Sequence, residues 1–361
     1  MNSKKGVIVI NKKMLSKNRD LKTAKKESLK RYKKNGRALI KCKIGNLVKD
    51  NTKEDSIRQY RFTDTDITLD KLIEYCKKTN LTGMSGNGFP VYRKLEQPVR
   101  KIVINAVECE PGLIHDQWLV NHYFEEIIAS AAWLKKILKA DEVVLAAKEL
   151  GESDSICING VRLCKVPCRY PMGEERILLK QIFDVDLPME TIPTKEGYLV
   201  MNVQTLLQLN SIADQREITG RYITLADLDN GNAKAVFVQY GKSIETELRT
   251  SYGDRKYLVS GGGLLNSTVV EGSQTFSSTT CFAAVSSQIA VCSTENKCKG
   301  CGKCKRVCPM QIDVRKVITE YEKNPNQSFS DYGIDRCIGC RSCGFVCRAD
   351  KNPFEIIGEL K

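Results

Sequence analysis

The chain has 361 residues, enough for two or three domains that each bury a core, so its 16 cysteines are not needed as the staples of a small secreted scaffold. It has no signal-peptide pattern and no apolar run near the ~20 residues of a membrane span. A reducing cytoplasm and metal-binding thiolates are therefore expected, not disulfides. The net charge of +14 is concentrated: residues 1–60 carry 19 Lys/Arg against 5 Asp/Glu, and the other 301 residues are balanced.

Such a basic segment, running from Lys4 through Lys22 to Lys34, suits nucleic acid, the anionic inner face of a membrane, or an acidic partner protein. It equally suits a solvated, partly disordered arm. No ribonucleoprotein or helix-turn-helix pattern accompanies it, so nucleic acid is not expected as a partner. Within it, Val7 to Ile10 and Ala38 to Val48 read as strands and Ser16 to Lys34 as a helix or arm.

From Leu69 to Thr79 the apolar spacing predicts a helix that runs into a glycine-rich loop, Gly83 to Gly88. Strand and helix patterns then alternate. Ile102 to Ala106, Glu142 to Ala147, Val161 to Val166 and Tyr198 to Val200 read as strands; Val120 to Leu138 reads as one helix, and another opens after Met201. That order predicts an α/β layer domain with a largely parallel sheet over residues 61–215. After Arg216 the texture changes to short β runs with turns (Ala235 to Tyr240, Tyr257 to Val259, the glycines 261–263), a small β module over 216–285.

The last part, 286–361, holds two four-cysteine runs, Cys298/Cys301/Cys304/Cys308-Pro309 and Cys337/Cys340/Cys343/Cys347-Arg348. Two-residue gaps let three thiolates converge on one Fe4S4 cube, and the fourth, after a three-residue gap, serves the partner cube. One cluster is thus assigned Cys298, Cys301, Cys304 and Cys347, the other Cys337, Cys340, Cys343 and Cys308. A zinc ribbon would use paired Cys-x-x-Cys knuckles around one ion, not two runs of four. Val314 to Tyr321, between the runs, has helix-compatible spacing. The other eight cysteines show no ligand spacing and read mostly as small buried hydrophobes. Cys109, between two carboxylates that raise a thiol pKa, reads as packing. His115 and His122 read as helix-entry or surface residues.

Four further stretches carry chemistry. Gly83, Gly86 and Gly88 lie within six residues, with Lys94 beyond, and such a loop can bring backbone amides to a phosphate, although it lacks the usual dinucleotide spacing. A strand ends in Asn105-Ala106-Val107-Glu108-Cys109-Glu110-Pro111, where carboxylates need a task or a partner. A second acidic loop contains Gly173-Glu174-Glu175, and Asn202-Val203-Gln204-Thr205 opens a helix.

These motifs, in this order and followed by a β module and two cluster runs, resemble the C subunit of Rnf-type electron transport complexes. They are also similar to the wider family of the NADH-binding flavoprotein subunit of complex I, cobalamin reductases and the electron-transfer protein of proline reductase. The resemblance covers residues 65–361. It implies a Rossmann-like FMN- and NADH-binding domain, a β-grasp module of the soluble-ligand-binding type, and an α-helical 2[4Fe-4S] ferredoxin-like domain. It further implies Gly83, Gly86, Gly88 and Lys94 around the FMN phosphate and ribityl chain, with Asn105, Glu108 and Asn202 along the flavin. Phe89 would stack on the adenine of NADH, and Glu110, Glu174 and Glu175, beside Gly173, would border the nicotinamide. Ser85 and Asn87 replace Gly and Ala of the complex I proteins, which narrows the crevice. The short basic segment stands where the Rnf proteins carry a β-sandwich, which favours a soluble partner.

The resulting expectation is a cytoplasmic NADH:acceptor oxidoreductase, with Glu108 and Glu110 as catalytic residues, passing electrons through FMN and two [4Fe-4S] clusters to a ferredoxin, flavodoxin, reductase or Rnf-type subunit. Peripheral membrane contact would come through the basic segment. The alternative is an iron-sulfur relay without a working nicotinamide site.

Overall fold

The computed structural model describes residues 8–10, 49–50, 52, 59–85, 88–108, 110–150, 156–254, 256–260, 263–270, 274–286 and 289–361. The expected arm at 16–34 and strand at 38–48 lie outside them, as do Gly86, Asn87 and Cys109. No helix among the described residues is long and apolar enough to cross a membrane.

Two short strands come first, β1 (Ile8–Ile10) and β2 (Lys49–Asp50). Helix α1 (Leu69–Lys78) is capped by Thr68, which accepts from Lys71 N, and buries Leu72 and Cys76, four residues apart on one face. Helix α2 (Val91–Leu95) follows the glycine loop. The alternating region then runs β3 (Lys101–Ala106), α3 (His115–His122), α4 (Phe124–Leu138), β4 (Glu142–Ala147), β5 (Cys157–Ile158), β6 (Val161–Lys165), α5 (Glu175–Phe183), β7 (Tyr198–Asn202) and α6 (Val203–Ala213).

The helix expected over 120–138 is two helices. The backbone leaves helical geometry at Tyr123 (φ −125°, ψ 29°), whose ring is drawn into a buried cluster with Tyr60, Trp118 and Tyr222. Its hydroxyl shares a 3.0 Å hydrogen bond with that of Tyr222. Side-chain burial outweighs helix continuity at this one residue.

The strands form a sheet of order β5-β6-β4-β3-β7, parallel except for the β5 edge. β3 and β4 are buried at every residue but the first because helices cover both faces. Ile102, Ile104 and Ala106 join a core with Leu119, Ile127, Leu134 and Leu206, whereas Val103 joins Leu178 and Leu179 of α5 on the opposite face. The chain steps outward from β3 through β4 to β6, then returns to place β7 on the other side of β3. The strand order therefore reverses between β3 and β7, and in an open parallel sheet the ligand crevice lies outside the carboxyl ends of the strands at such a reversal.

A second, mixed sheet contains β8 (Gly220–Asp227), β9 (Asn232–Gln239), β10 (Lys256–Ser260), β11 (Thr268–Val269) and β12 (Phe282–Ser286), with helix α7 (Ile244–Tyr252) between β9 and β10. Its order is β11-β10-β12-β8-β9-β2, so β2 from the basic segment forms its edge. β1 pairs antiparallel with β13 (Ile289–Val291).

The cysteine runs carry short helices α8 (Lys303–Val307) and α10 (Ser342–Phe345), with the longer α9 (Val314–Lys323) and α11 (Pro353–Glu359). Ile312, Val317, Ile318, Phe329 and Ile356 form their core, against which Cys298, Cys304, Cys337 and Cys343 pack. A further core of Leu113, Tyr170, Leu264, Phe282 and Phe345 joins all three parts.

Candidate functional site: a cleft bordered by the second cysteine run

At the carboxyl ends of β3 and β7 lies a cleft of about 460 Å³, bordered by Gly83, Ser85, Lys94, Asn105, Asn202 and Thr205 on one side and by Tyr170, Gly173, Glu174 and Glu175 on the other. Its size is within the range of sites for small ligands and cofactors, about 300–1,000 Å³.

Buried polar bonds hold the walls. Asn105 Nδ2 donates to Gly173 O (3.0 Å), and Asn105 Oδ1 accepts from Val107 N (3.0 Å). Gly173 sits so close that a Cβ there would strike the carbonyl oxygen of Val107. Asn202 caps α6: its Oδ1 accepts from Gln204 N (2.9 Å) and Thr205 N (3.3 Å), while its Nδ2 donates to Asp116 Oδ2 (2.9 Å). The described part of the glycine loop is anchored at Met84, whose N donates to Thr205 Oγ1 (2.8 Å) and whose O accepts from the fully buried Arg221 of β8 (2.8 Å). Arg221 also donates to Ser278 O (2.6 Å), so the second sheet braces the rim of the cleft.

The charged groups divide into two kinds. Lys94 faces the cleft with its Nζ 2.6 Å from Glu175 Oε1 and donating to Val200 O (2.9 Å); Phe89, 37% exposed, stands beside it. An anion entering here would compete with Glu175 for this lysine. Glu174 caps α5, accepting from Ile177 N (3.0 Å); burial raises its pKa. Glu108, by contrast, is not among the residues bordering the cleft. It is buried behind it, with Oε2 2.6 Å from Lys148 Nζ and Oε1 accepting from Gln117 N (2.9 Å). Its carboxylate has a partner instead of an open face.

Glu110 does border the cleft, buried, with Oε2 accepting from Leu265 N (2.5 Å). Burial pushes its pKa up to about 7 against the pull of that amide and of Arg341, the residue after Cys340. Asp116 rises to about 7 too, through burial and the nearby Glu108, and its Oδ1 has no hydrogen-bond partner among the described residues. A carboxyl whose folded pKa is raised favours folding fully below its unfolded value and loses that contribution as pH climbs through the folded one. Unfolding free energy should therefore carry a falling component between about pH 4 and 7. Urea titrations of the wild type and of Glu110→Gln and Asp116→Asn across that interval should show each substitution removing part of the fall.

The far wall comes from the second cysteine run. Ile338, Gly339 and Cys340 border the cleft, and Tyr170, from the loop before Gly173, donates its hydroxyl to Cys340 O (2.7 Å). The thiols of the two runs lie close enough to raise one another's pKa, both within a run and between runs. Cys304 is pushed up to about 12 by burial and then by Cys298, Cys347 and Cys301. Cys308 is raised by burial and also by Cys337; Cys343 is raised by burial, then by Cys340, Cys337, Cys308 and Cys304. Among the described residues no group of three or more His, Cys, Asp or Glu side chains is arranged to hold a single metal ion. An all-thiol donor set of this size fits iron-sulfur clusters.

Tyr170, Thr205, Ile338 and Gly339 border the cleft without a site role assigned from sequence, Cys340 borders it besides its expected part as a cluster ligand, and Tyr170 and the loop 338–340 meet only through the tertiary fold. Lys148 has a readable signal, since it immediately follows β4 at its carboxyl end. His115 does open a helix but is fully buried, its Nδ1 3.0 Å from Thr224 Oγ1, and burial lowers its pKa. Of the described cysteines outside the runs, Cys76, Cys281 and Cys292 are buried as expected, whereas Cys157 and Cys168 are exposed.

Residues 76–211 match the family of the Nuo51 FMN-binding domain, and residues 290–348 match that of the 4Fe-4S dicluster domain. The C subunit of the ion-translocating oxidoreductase complex of Buchnera aphidicola is 25% identical, over 77% of this chain and 62% of its own length. The C subunit of the Na(+)-translocating ferredoxin:NAD(+) oxidoreductase complex of Acetobacterium woodii is 24% identical, over 76% of this chain and 65% of its own. The cobalamin reductase PduS of Salmonella typhimurium is 24% identical, over 82% and 72%. The chain spans only about one third to two thirds of the length of these C-subunit relatives. It is a homologue of the C subunits of ion-translocating oxidoreductase complexes and of cobalamin reductase PduS, built from a Nuo51 FMN-binding domain followed by a 4Fe-4S dicluster domain.

Proposed function

We propose that this chain is an NADH:acceptor oxidoreductase that exchanges electrons between NADH and a partner protein in the cytoplasm, with FMN and two [4Fe-4S] clusters as its carriers. The observation that carries this reading is the shared wall: the loop holding Cys340 borders the same cleft as Asn105, Gly173 and Asn202. In this reading a two-electron site and a one-electron site adjoin with no intervening layer.

Flavin supplies the needed conversion, since it takes a hydride pair and releases electrons singly. In this reading Gly83, Gly86, Gly88, Ser85, Lys94, Asn105, Gly173, Asn202 and Thr205 hold FMN. Phe89, Glu174 and Glu175 receive NADH at the mouth. Glu110 works at the cleft surface, where its carboxyl can hold a proton near neutral pH. Glu108 acts from behind the wall, fixing the start of α3 through Gln117 N. One cluster belongs to Cys337, Cys340, Cys343 and Cys308, beside the cleft, and the other to Cys298, Cys301, Cys304 and Cys347.

The domain limits proposed are 61–215, 216–285 and 286–361, after the basic segment 1–60. The middle one is read as a β-grasp module, supported by the parallel central pair β8 and β12 flanked by antiparallel β9 and β10 with α7 in the crossover.

Paired cysteine variants test the order of carriers. In the reconstituted protein with FMN, Cys340→Ser should leave NADH able to bleach the flavin while the remaining cluster stays oxidised. Cys301→Ser should leave NADH reducing both flavin and the remaining cluster. Identical behaviour of the two variants, or cluster reduction by NADH in Cys340→Ser, would overturn the reading.

A further inference from the structure

The two cysteine runs face different surroundings. Cys340 is half-buried, borders the cleft and accepts at its carbonyl oxygen from the Tyr170 hydroxyl, whereas Cys301 is exposed. Basic residues outnumber acids along this run: Lys297, Lys299 and Arg306 are exposed, as is Arg348 directly after Cys347, against the exposed carboxylates Glu295 and Glu322. The neighbouring acids are already engaged. Asp313 is bound by Lys305 (2.5 Å), and Glu322 accepts from Cys298 N (2.9 Å) while pairing with Lys351 (2.9 Å). Lys297, Lys299 and Arg348 carry no hydrogen bond or ion pair to any described residue.

We infer that this face, centred on Cys301 and carrying Lys297, Lys299 and Arg348, is the docking surface for a small acidic one-electron carrier protein of the ferredoxin class. Solvated lysines at an exposed ligand loop lower the cost of bringing a negatively charged protein against it, and they steer encounter from beyond contact range. Cysteine ligation at the surface shortens the path between the two redox centres. The exchange moves one electron: the carrier loses it, the cluster held by Cys298, Cys301, Cys304 and Cys347 gains it, and no bond is made or broken. The reverse flow uses the same face. This inference rests on the electron-transfer reading above, and it takes the partner to be acidic at this loop and not at the basic N-terminal segment.

The test is binding, read without turnover. Oxidised bacterial ferredoxin of net negative charge is titrated anaerobically into the cluster-loaded protein by calorimetry at low and high salt. The comparison covers wild type, Lys297→Glu/Lys299→Glu, and Lys25→Glu/Lys26→Glu. The proposal expects the 297/299 pair to weaken binding roughly 10-fold or more at low salt, with the difference shrinking at high salt. Iron content and dithionite bleaching should match wild type, and Arg348→Glu should act in the same direction. Binding unaffected by 297/299 reversal but abolished by 25/26 reversal, or no salt-sensitive binding in wild type, would overturn it. Failure of NADH to bleach the clusters would leave this result standing and count against the NADH reading alone.

Discussion

Gly173→Ala should abolish FMN binding and destabilise the chain by about 1–3 kcal/mol, the usual cost of forcing an added methyl group into a filled site. The reason is steric and local. A Cβ at 173 would overlap Val107 O and come within 3.2 Å of Glu108 O, so either the 107–108 backbone or the 171–174 loop must move. Both are functional: movement of the first disturbs Asn105, which accepts from Val107 N, and movement of the second breaks the bond from Asn105 Nδ2 to Gly173 O. The cleft wall and the acidic loop would separate. Quenching of FMN fluorescence reports the loss of binding, and urea unfolding of the apo chain reports the loss of stability. Gly358→Ala is the control, since nothing lies within 4 Å of a Cβ there; it should be neutral or slightly stabilising. Wild-type flavin affinity in Gly173→Ala would show that the close approach has no role in the site.

The second large effect is expected at Lys148→Met, a destabilisation of about 3–5 kcal/mol. Glu108 is buried and Lys148 largely so, with side chains 2% and 12% exposed and 2.6 Å between charged atoms. Burial alone would lower the lysine pKa, but Glu108, with smaller help from Cys168 and Asp116, raises it. Removing the lysine leaves Glu108 charged and buried beside Asp116, the more costly half of a broken pair. Glu108→Gln in the Lys148→Met background should recover most of the loss, because an amide can still accept from Gln117 N. Unfolding of the two single variants and the double variant gives the coupling energy. A double variant no more stable than Lys148→Met would mean that Lys148 acts by packing alone.

Much of the layout was legible in the sequence because it obeys short-range rules. The β3, β4, β6 and β7 strands follow apolar runs, and the cubane spacing of the two cysteine runs is set by covalent reach. Asn202 was legible as a helix opener because capping is local. What escaped was set by distant packing. The break at Tyr123 depends on Tyr60 and Tyr222, far away in sequence. The inward turn of Glu108 depends on Lys148, and the far wall of the cleft depends on a loop some 165 residues beyond Gly173. None of these leaves a periodic trace in the chain.

The most direct test of the account follows the visible spectrum of anaerobic protein carrying FMN and reconstituted clusters as stoichiometric NADH is added. The account predicts bleaching of the flavin bands and of the broad cluster absorbance together, with no added mediator. Bleaching of neither by NADH, while dithionite still bleaches the clusters, would contradict it and leave an iron-sulfur relay without a working nicotinamide site.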